Sequence, residues 1–194
     1  MPDSDPNAGT DATIHLLERA RRGDSAAVDD LFARHVPLLQ RWARGRLPRW
    51  ARDIVDTSDL VQETVLETFK RLDGFEPRGD GALQAYLRQA FINRLRNQLR
   101  KAIKRPAAEE LDSAVPNDAT SPLEAAIGRE MLEHYEAALQ RLSRDERDAV
   151  VMRIELGFSF AEVAAALGKP SPDAARMMVV RAVVKLAKEM DVNV

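Results

Sequence analysis

A run of basic side chains with aromatic residues among them lies in the middle of the chain. Residues 82–105 contain seven Lys and Arg and no Asp or Glu. Tyr86, Phe91 and Asn93 lie among these cations, and Phe75 precedes them in a Gly-rich segment. Cations neutralise phosphates, and each base stacked on an aromatic face contributes on the order of 1–3 kcal/mol. The segment therefore favours binding of single-stranded nucleic acid. The alternative is a solvated basic helix with core aromatics, and we expect Phe91 to be core.

A second candidate site lies near the C-terminus, where a short helix, a Gly turn and a longer helix follow one another. Ser143 and Ser159 each begin a capping box with a glutamate three residues later. Gly168 ends the short helix, and Pro172 takes the favoured first position of the last helix. This order is typical of a helix-turn-helix, whose second helix enters a major groove of DNA. The predicted inner face of that helix comprises Ala175, Val179, Ala182 and Leu186, and the outward and flanking residues are Ala174, Arg176, Met177, Arg181 and Lys185. The alternative is an ordinary helical hairpin.

The sequence lacks the motifs of enzymes that make or break covalent bonds. It contains no Cys, so disulfides, thiolate metal sites and Cys nucleophiles are excluded. Its three His are scattered, and we expect each to be packed or solvated. There is no Gly-rich phosphate loop, no Ser/His/Asp signature and no metal-ligand spacing. We therefore expect a protein that is not an enzyme and holds neither cofactor nor metal.

The segments that must position these two sites are all predicted to be helical. Apolar residues recur at spacings of three and four, and no segment has strand periodicity. We predict an all-α fold of two helical domains joined by a flexible acidic linker, with the helix-turn-helix in the C-terminal domain. The predicted boundaries are a disordered tail over 1–12, a first domain over 13–105, the linker over 106–124 and a second domain over 125–194.

Charge and composition agree with two domains of different character. Residues 1–105 carry a net charge of +4 and residues 106–194 a net charge of −6, which together give the formal −2 of the chain. The basic half indicates nucleic-acid contact. No charge-free stretch approaches the roughly 18 residues that a membrane span needs, and the polar start does not resemble a signal peptide. We expect a cytoplasmic protein without membrane insertion.

Several of these motifs resemble bacterial sigma factors. The segment 59–64 (Asp-Leu-Val-Gln-Glu-Thr) resembles the signature of their region 2, and so do Tyr86-Leu87 and the segment 91–94 (Phe-Ile-Asn-Arg). The segment 157–168 and Arg181-Ala182 resemble region 4. The likeness covers about residues 13–105 and 125–190. Because there is no room for regions 1.1 and 3, the chain is most similar to the extracytoplasmic-function group.

The resemblance implies a role for each matching residue. It implies a sigma factor that directs promoter-specific transcription initiation, with RNA polymerase core, duplex and single-stranded promoter DNA, and an anti-sigma factor as partners. The residues implied to dock on the polymerase clamp are Asp59, Leu60, Gln62 and Glu63. Those implied to border the pocket for a flipped −10 base or hold the strand beside it are Phe75, Tyr86, Asn93, Arg94, Arg96, Arg100 and Lys101. Those implied to meet the −35 element are Arg176, Met177, Arg181 and Lys185.

The sequence also departs from the family pattern. Tyr86 replaces the more usual Trp, Asn97 stands where an Asp is common, and Met178 and Val183 replace frequent Arg. The outward side of the last helix is apolar for a helix that faces phosphates. Two alternatives therefore stay open: a helix-turn-helix regulator that binds duplex DNA without polymerase, and an adaptor that binds a protein through this apolar side.

Overall fold

The computed structural model describes residues 8–70, 81–103 and 122–191. Over these ranges all regular elements are helical, which confirms the predicted all-α class. The helices form an N-terminal group and a C-terminal group, each with its own internal packing.

The N-terminal group contains four helices. They are α1 (Ala8–Arg21), α2 (Ser25–Ala43), α3 (Thr57–Lys70) and α4 (Ala82–Ala102), with one turn of 3₁₀ helix at Arg49–Ala51. Helix α2 packs against the other three, and α3 also packs against α4. Asp24 caps α2 by accepting the backbone N–H groups of Ala26 and Ala27 at 3.0 and 3.2 Å. The cap begins a helix whose buried face carries Leu31, His35 and Leu39.

His35 is part of this core rather than of a reactive site. Its Nδ1 lies 2.9 Å from Oε1 of Gln84, which ties α2 to α4. Burial lowers the pKa of His35, so the neutral ring is favoured. The expectation that this histidine is packed is confirmed.

The C-terminal group contains the other four helices of the described ranges. They are α5 (Pro122–Arg141), α6 (Arg144–Val150), α7 (Phe160–Ala166) and α8 (Pro172–Asp191), with a π-helical turn at Val151–Glu155 after α6. Helix α8 packs against α5, α6 and α7. Both predicted capping boxes are present, since Ser143 and Ser159 each accept the N3 amide while Glu146 and Glu162 accept the N-cap amide.

Two predicted boundaries differ from the structure. Helix α1 begins at Ala8, within the segment 1–12 that was predicted as a tail. Helix α5 begins at Pro122, within the last residues of the predicted linker 106–124. Proline is well suited to a helix start because its fixed φ is helical and its missing N–H is not needed there. The remainder of the predicted tail and linker lies outside the described residues.

Candidate nucleic-acid interface

The residues of α4 that are predicted to bind nucleic acid form rows parallel to the helix axis. Tyr86, Asn93 and Arg100 are seven residues apart, so they fall almost on one line about 21 Å long. Arg94 and Lys101 form a parallel row on one flank, and Arg96 lies on the other. The opposite face is buried and carries Leu83, Leu87, Phe91, Ile92, Leu95 and Leu99. Phe91 is fully buried and edge-on to Trp42 at 5.8 Å, which confirms its predicted place in the core.

The cations of α4 differ in how available they are. Lys101 is exposed, whereas Arg94 lies 3.4 Å from Glu63 on α3. Arg96 is half-buried, and its Nε has no hydrogen-bond acceptor among the described residues. Burial and the neighbouring charge of Arg100 lower the pKa of Arg96. An acceptor oxygen from an anion would both satisfy this donor and compensate its charge.

Arg100 faces the C-terminal group of helices. Its guanidinium carbon lies 5.7 Å from the centre of the Phe158 ring, and its Nε lies 3.8 Å from Oε1 of Glu162. Tyr86 and Asn93 are half-buried, and Asn93 accepts a hydrogen bond from Gln89 at 3.1 Å. The structure therefore brings Tyr86, Asn93 and Arg100 together on one side of α4. Phe75, also predicted for this site, lies outside the described residues.

A groove of about 610 Å³ separates α2 from α3. Polar side chains along α3 provide one wall, and Leu66 adds an apolar side chain that is 48% exposed. The residues that line the groove are Phe32, Ala33, Val36 and Pro37 of α2 and Asp59, Gln62, Glu63 and Leu66 of α3. Three of the four residues predicted to dock on polymerase thus line one concave surface.

Leu60 is the exception among these four. It is 1% exposed and belongs to the core, so in the folded chain it packs inside the domain rather than at the surface of the groove. The helical period explains the difference, because Leu60 lies on the same side of α3 as the buried Val61, Thr64 and Val65. Leu60 instead fixes the orientation in which α3 presents its polar side chains.

Pro37 interrupts the backbone hydrogen bonding of α2 at the other wall of the groove. It lies inside α2, and proline has no N–H to donate to the carbonyl of Ala33 one turn earlier. Both residues line the groove. A partner that enters it would therefore meet apolar side chains of α2 and the carboxylates of α3.

The helix-turn-helix is built as predicted. Gly168 ends α7 with φ of +60°, and the N–H of Lys169 bonds to the carbonyl of Ala164 at 2.8 Å, which is a Schellman closure. Ser171 then accepts the N–H of Ala174 at 3.1 Å at the start of α8. The predicted inner face of α8 is confirmed as buried: Ala175, Val179, Ala182 and Leu186.

The outward side of α8 combines exposed apolar residues with few unpaired cations. Met177, Val180 and Val184 are 47%, 46% and 51% exposed. Arg176 lies 3.5 Å from Asp173 one turn earlier, while Nε of Arg181 donates to the carbonyl of Met177 at 3.3 Å. The face offers van der Waals surface flanked by two arginines.

Lys185 contacts α6 instead of lying among these outward residues of α8. Its Nζ lies 2.9 Å from Glu146, which holds α8 against α6. The hydrogen bonds from Lys185 and Ser143 lower the pKa of Glu146 to about 2. Lys185 therefore stabilises the domain, and a −35 contact by it would require this pair to break.

Comparisons with known proteins assign both halves of the chain to one family. The family models Sigma-70 region 2 and Sigma-70, region 4 match residues 31–105 and 132–186. The RNA polymerase sigma-H factor of Pseudomonas aeruginosa is 32% identical over 91 residues, and the ECF RNA polymerase sigma-E factor of Salmonella typhimurium is 30% identical over 91 residues. The chain belongs to the extracytoplasmic-function group of the sigma-70 family.

The likeness to these relatives is partial. The matched segment covers 47% of this chain and 44% of each of the two curated sigma factors, so the chain spans about half the length of the relatives it matches. A solved structure of CnrH in complex with the cytosolic domain of CnrY is 26% identical, covers 94% of this chain and 99% of that chain, and gives a TM-score of 0.41.

The two sigma regions contain the candidate surfaces of the N-terminal and C-terminal groups of helices. The region 2 match contains the α2–α3 groove and all of α4, and the region 4 match contains α6, α7 and most of α8. Sequence reasoning missed the α2 side of the groove and Leu66. A proline inside a helix and an apolar residue beside Glu63 and Glu67 were the available signals. In the part of the chain that the structure describes, no helix is long and apolar enough to cross a membrane.

Proposed function

We propose that this sigma factor directs promoter-specific transcription initiation by binding RNA polymerase core and the −10 and −35 promoter elements. The observation that carries the proposal is the order of surfaces along one chain: a partner groove and a basic aromatic helix in region 2, then a helix-turn-helix in region 4. No bond chemistry is needed for this function, because binding energy alone couples promoter choice to strand opening.

The groove between α2 and α3 is proposed as the polymerase clamp site. Asp59, Gln62 and Glu63 present carboxylates and an amide at its rim, and the apolar floor is provided by Phe32 and Val36. A helix of the clamp with apolar residues along one side and basic residues beside them fits this arrangement. Helix-in-groove contacts of this kind gain affinity from the apolar anchors and orientation from the rim charges.

Helix α4 is proposed as the reader of the melted −10 strand. Tyr86 supplies an aromatic face and Asn93 an amide for an unpaired base, while Arg94, Arg96 and Lys101 are placed along the backbone of the strand. Flipping a base out of the duplex costs a few kcal/mol, which stacking and charge neutralisation must offset. We place Phe75 in the same pocket on the resemblance alone.

Helix α8 is proposed to meet the −35 element through Arg176, Met177 and Arg181. Apolar residues at the base-reading side of such a helix suit the methyl groups of thymine. The same exposed apolar residues would also suit an anti-sigma factor, which we include as a second occupant of this face. The exposure of Met177, Val180 and Val184 supports that addition.

In vitro transcription with purified core polymerase tests the proposal. Core plus this protein should start transcripts at a defined promoter, and the protein alone should bind that promoter duplex weakly. Leu66→Asp places a charge in the groove and should abolish core binding, whereas Ile54→Asp, at a residue that is 56% exposed outside the groove, should not. Tight duplex binding without core, together with no complex with core, would instead favour a conventional helix-turn-helix regulator.

A further inference from the structure

An ionic cluster around one buried arginine joins region 2 to region 4. Arg46, which follows α2, is 2% exposed. Its Nη1 donates to Oε2 of Glu136 on α5 at 2.6 Å, its Nη2 donates to Oε1 of the same carboxylate, and its Nε donates to Glu155 at 3.1 Å. The guanidinium also stacks on the ring of Trp42 at 4.3 Å. One side chain of region 2 thus binds two carboxylates of region 4.

Further hydrogen bonds surround this cluster. Nε1 of Trp42 donates to Glu136 at 2.9 Å, and the hydroxyl of Tyr135 donates to Glu155 at 2.8 Å. Nearby, the backbone N–H of Arg49 donates to the buried carboxylate of Asp148 at 3.1 Å. The carboxylates of Glu136 and Glu155 are therefore each held by two side chains. Burial works against the charge of Arg46, but the two glutamates outweigh it and raise the pKa of this arginine.

The cluster depends on contact between the two regions. Among the described residues, the acceptor that region 2 itself gives Arg46 is the carbonyl of Trp42 at 3.4 Å. A buried guanidinium needs carboxylate partners, and Glu136 and Glu155 supply them. Conversely, separation of the regions would return all three charges to water.

We propose that the Arg46 cluster is an autoinhibitory latch that holds the free protein in a closed form. This inference rests on the proposed function for what the closed form prevents. The −10 and −35 elements are centred about 25 base pairs apart, or roughly 85 Å along B-DNA at 3.4 Å per base pair. A compact chain of this length has a radius of gyration of about 16 Å. The closed form is too short to bind both elements at once.

The contact between region 2 and region 4 also covers part of the α4 surface that is proposed to bind the −10 strand. Arg100 of α4 lies beside Phe158 and Glu162 of region 4 when the latch is closed. Glu162 is also the capping-box residue of α7. Opening the latch therefore makes the Arg100 cation available to the DNA strand. It also exposes the side of α7, the first helix of the helix-turn-helix, that faces region 2.

Breaking one side of the latch should open it. Arg46→Ala leaves two half-buried carboxylates without their cation, and Glu136→Gln with Glu155→Gln leaves the buried cation without a carboxylate. Removing one partner of a buried ion pair is strongly destabilising for the state that buries it. We expect either change to raise the ratio of separated to closed molecules by roughly tenfold or more.

Single-molecule energy transfer in the full-length chain measures this ratio. Because the sequence has no Cys, Ala26→Cys on α2 and Lys188→Cys on α8 provide two exposed attachment points for dyes. The otherwise unchanged chain should give one narrow population, and both latch variants should add a population at lower transfer. Arg22→Ala is the matched control, since it breaks an exposed ion pair between Glu18 of α1 and Arg22, which directly follows α1, and should change nothing.

The outcome is decisive in either direction. Unchanged transfer in both latch variants would overturn the latch. If circular dichroism shows that Arg46→Ala has lost helix, the double glutamine variant, altered only in region 4, decides instead. Adding core polymerase to the labelled protein should produce the low-transfer population without any substitution. Failure of core to bind would count against the proposed function, whereas the transfer change in the free variants would still report on the latch.

Discussion

Replacing Tyr86 should weaken capture of an unpaired −10 base by a predictable amount. A base stacked on an aromatic side chain contributes on the order of 1–3 kcal/mol. Tyr86 is half-buried, so the protein already covers part of its side chain and we expect a value in the lower part of this range. We therefore expect Tyr86→Ala to cost about 1–2 kcal/mol, or roughly 5- to 30-fold in affinity of the polymerase complex for fork-junction DNA. Tyr86→Phe keeps the ring and should remain within about twofold of the original affinity.

An abasic site in the DNA turns this measurement into a thermodynamic cycle. If the ring stacks on the base, removing the base already removes the interaction, and Tyr86→Ala should have little further effect on abasic DNA. Binding is measured by fluorescence anisotropy of labelled fork DNA with reconstituted holoenzyme at fixed salt. If Tyr86→Ala weakens binding to intact and to abasic DNA by the same factor, the stacking role is refuted. Asn93 would then be the next residue to test for base contact.

Four further outcomes follow from the described contacts. Lys101→Ala should make the salt dependence of fork-DNA binding less steep by about 0.7 in log K against log salt, and an unchanged slope would remove Lys101 from the phosphate contacts. Replacing thymine by uracil in the −35 duplex should weaken binding about fourfold per contacted methyl, since each buried carbon is worth about 0.8 kcal/mol; Met177→Ala should abolish that sensitivity if it makes the contact. Because the pKa of Glu146 is lowered to about 2, its contribution to stability is fully present above pH of about 5 and is lost as pH falls toward 2, so Glu146→Gln should flatten the acid side of the thermal stability curve. Gly168→Ala forces a side chain into φ of +60° and should cost about 1–2 kcal/mol in denaturant unfolding, whereas Gly128→Ala within α5 should be neutral or stabilising by up to about 1 kcal/mol.

Local sequence patterns predicted the helices because the interactions that begin and end helices are themselves local. The capping boxes at Ser143 and Ser159 join residues three apart, and the Gly168 turn is set by one backbone conformation. The buried face of α8 follows from spacing alone, since a helix that packs on one side must repeat apolar residues every three or four positions. These features were predicted correctly and in the right order.

The same local patterns could not predict which helices pack against one another. The groove exists because α2 and α3 lie side by side, and nothing within α2 indicates that Phe32 and Pro37 will face Gln62. Leu60 was predicted as a docking residue because it sits inside a family signature, yet its helical phase directs it to the core. A signature gives residue identities in order, whereas exposure depends on which neighbours cover each face.

The cations of α4 show why charge counting alone misjudges a binding surface. The sequence treats the basic residues of this helix as equivalent, but the structure gives them different surroundings. Arg88 stacks on Trp42 at 5.5 Å, and burial lowers its pKa, while Lys101 stays exposed. Arg100 lies against region 4 while the Arg46 cluster is closed. The number of cations that α4 can offer to DNA is therefore a property of the arrangement of the two regions. It follows that promoter affinity and opening of the latch are linked, because any ligand that needs Arg100 must shift the population toward the separated form.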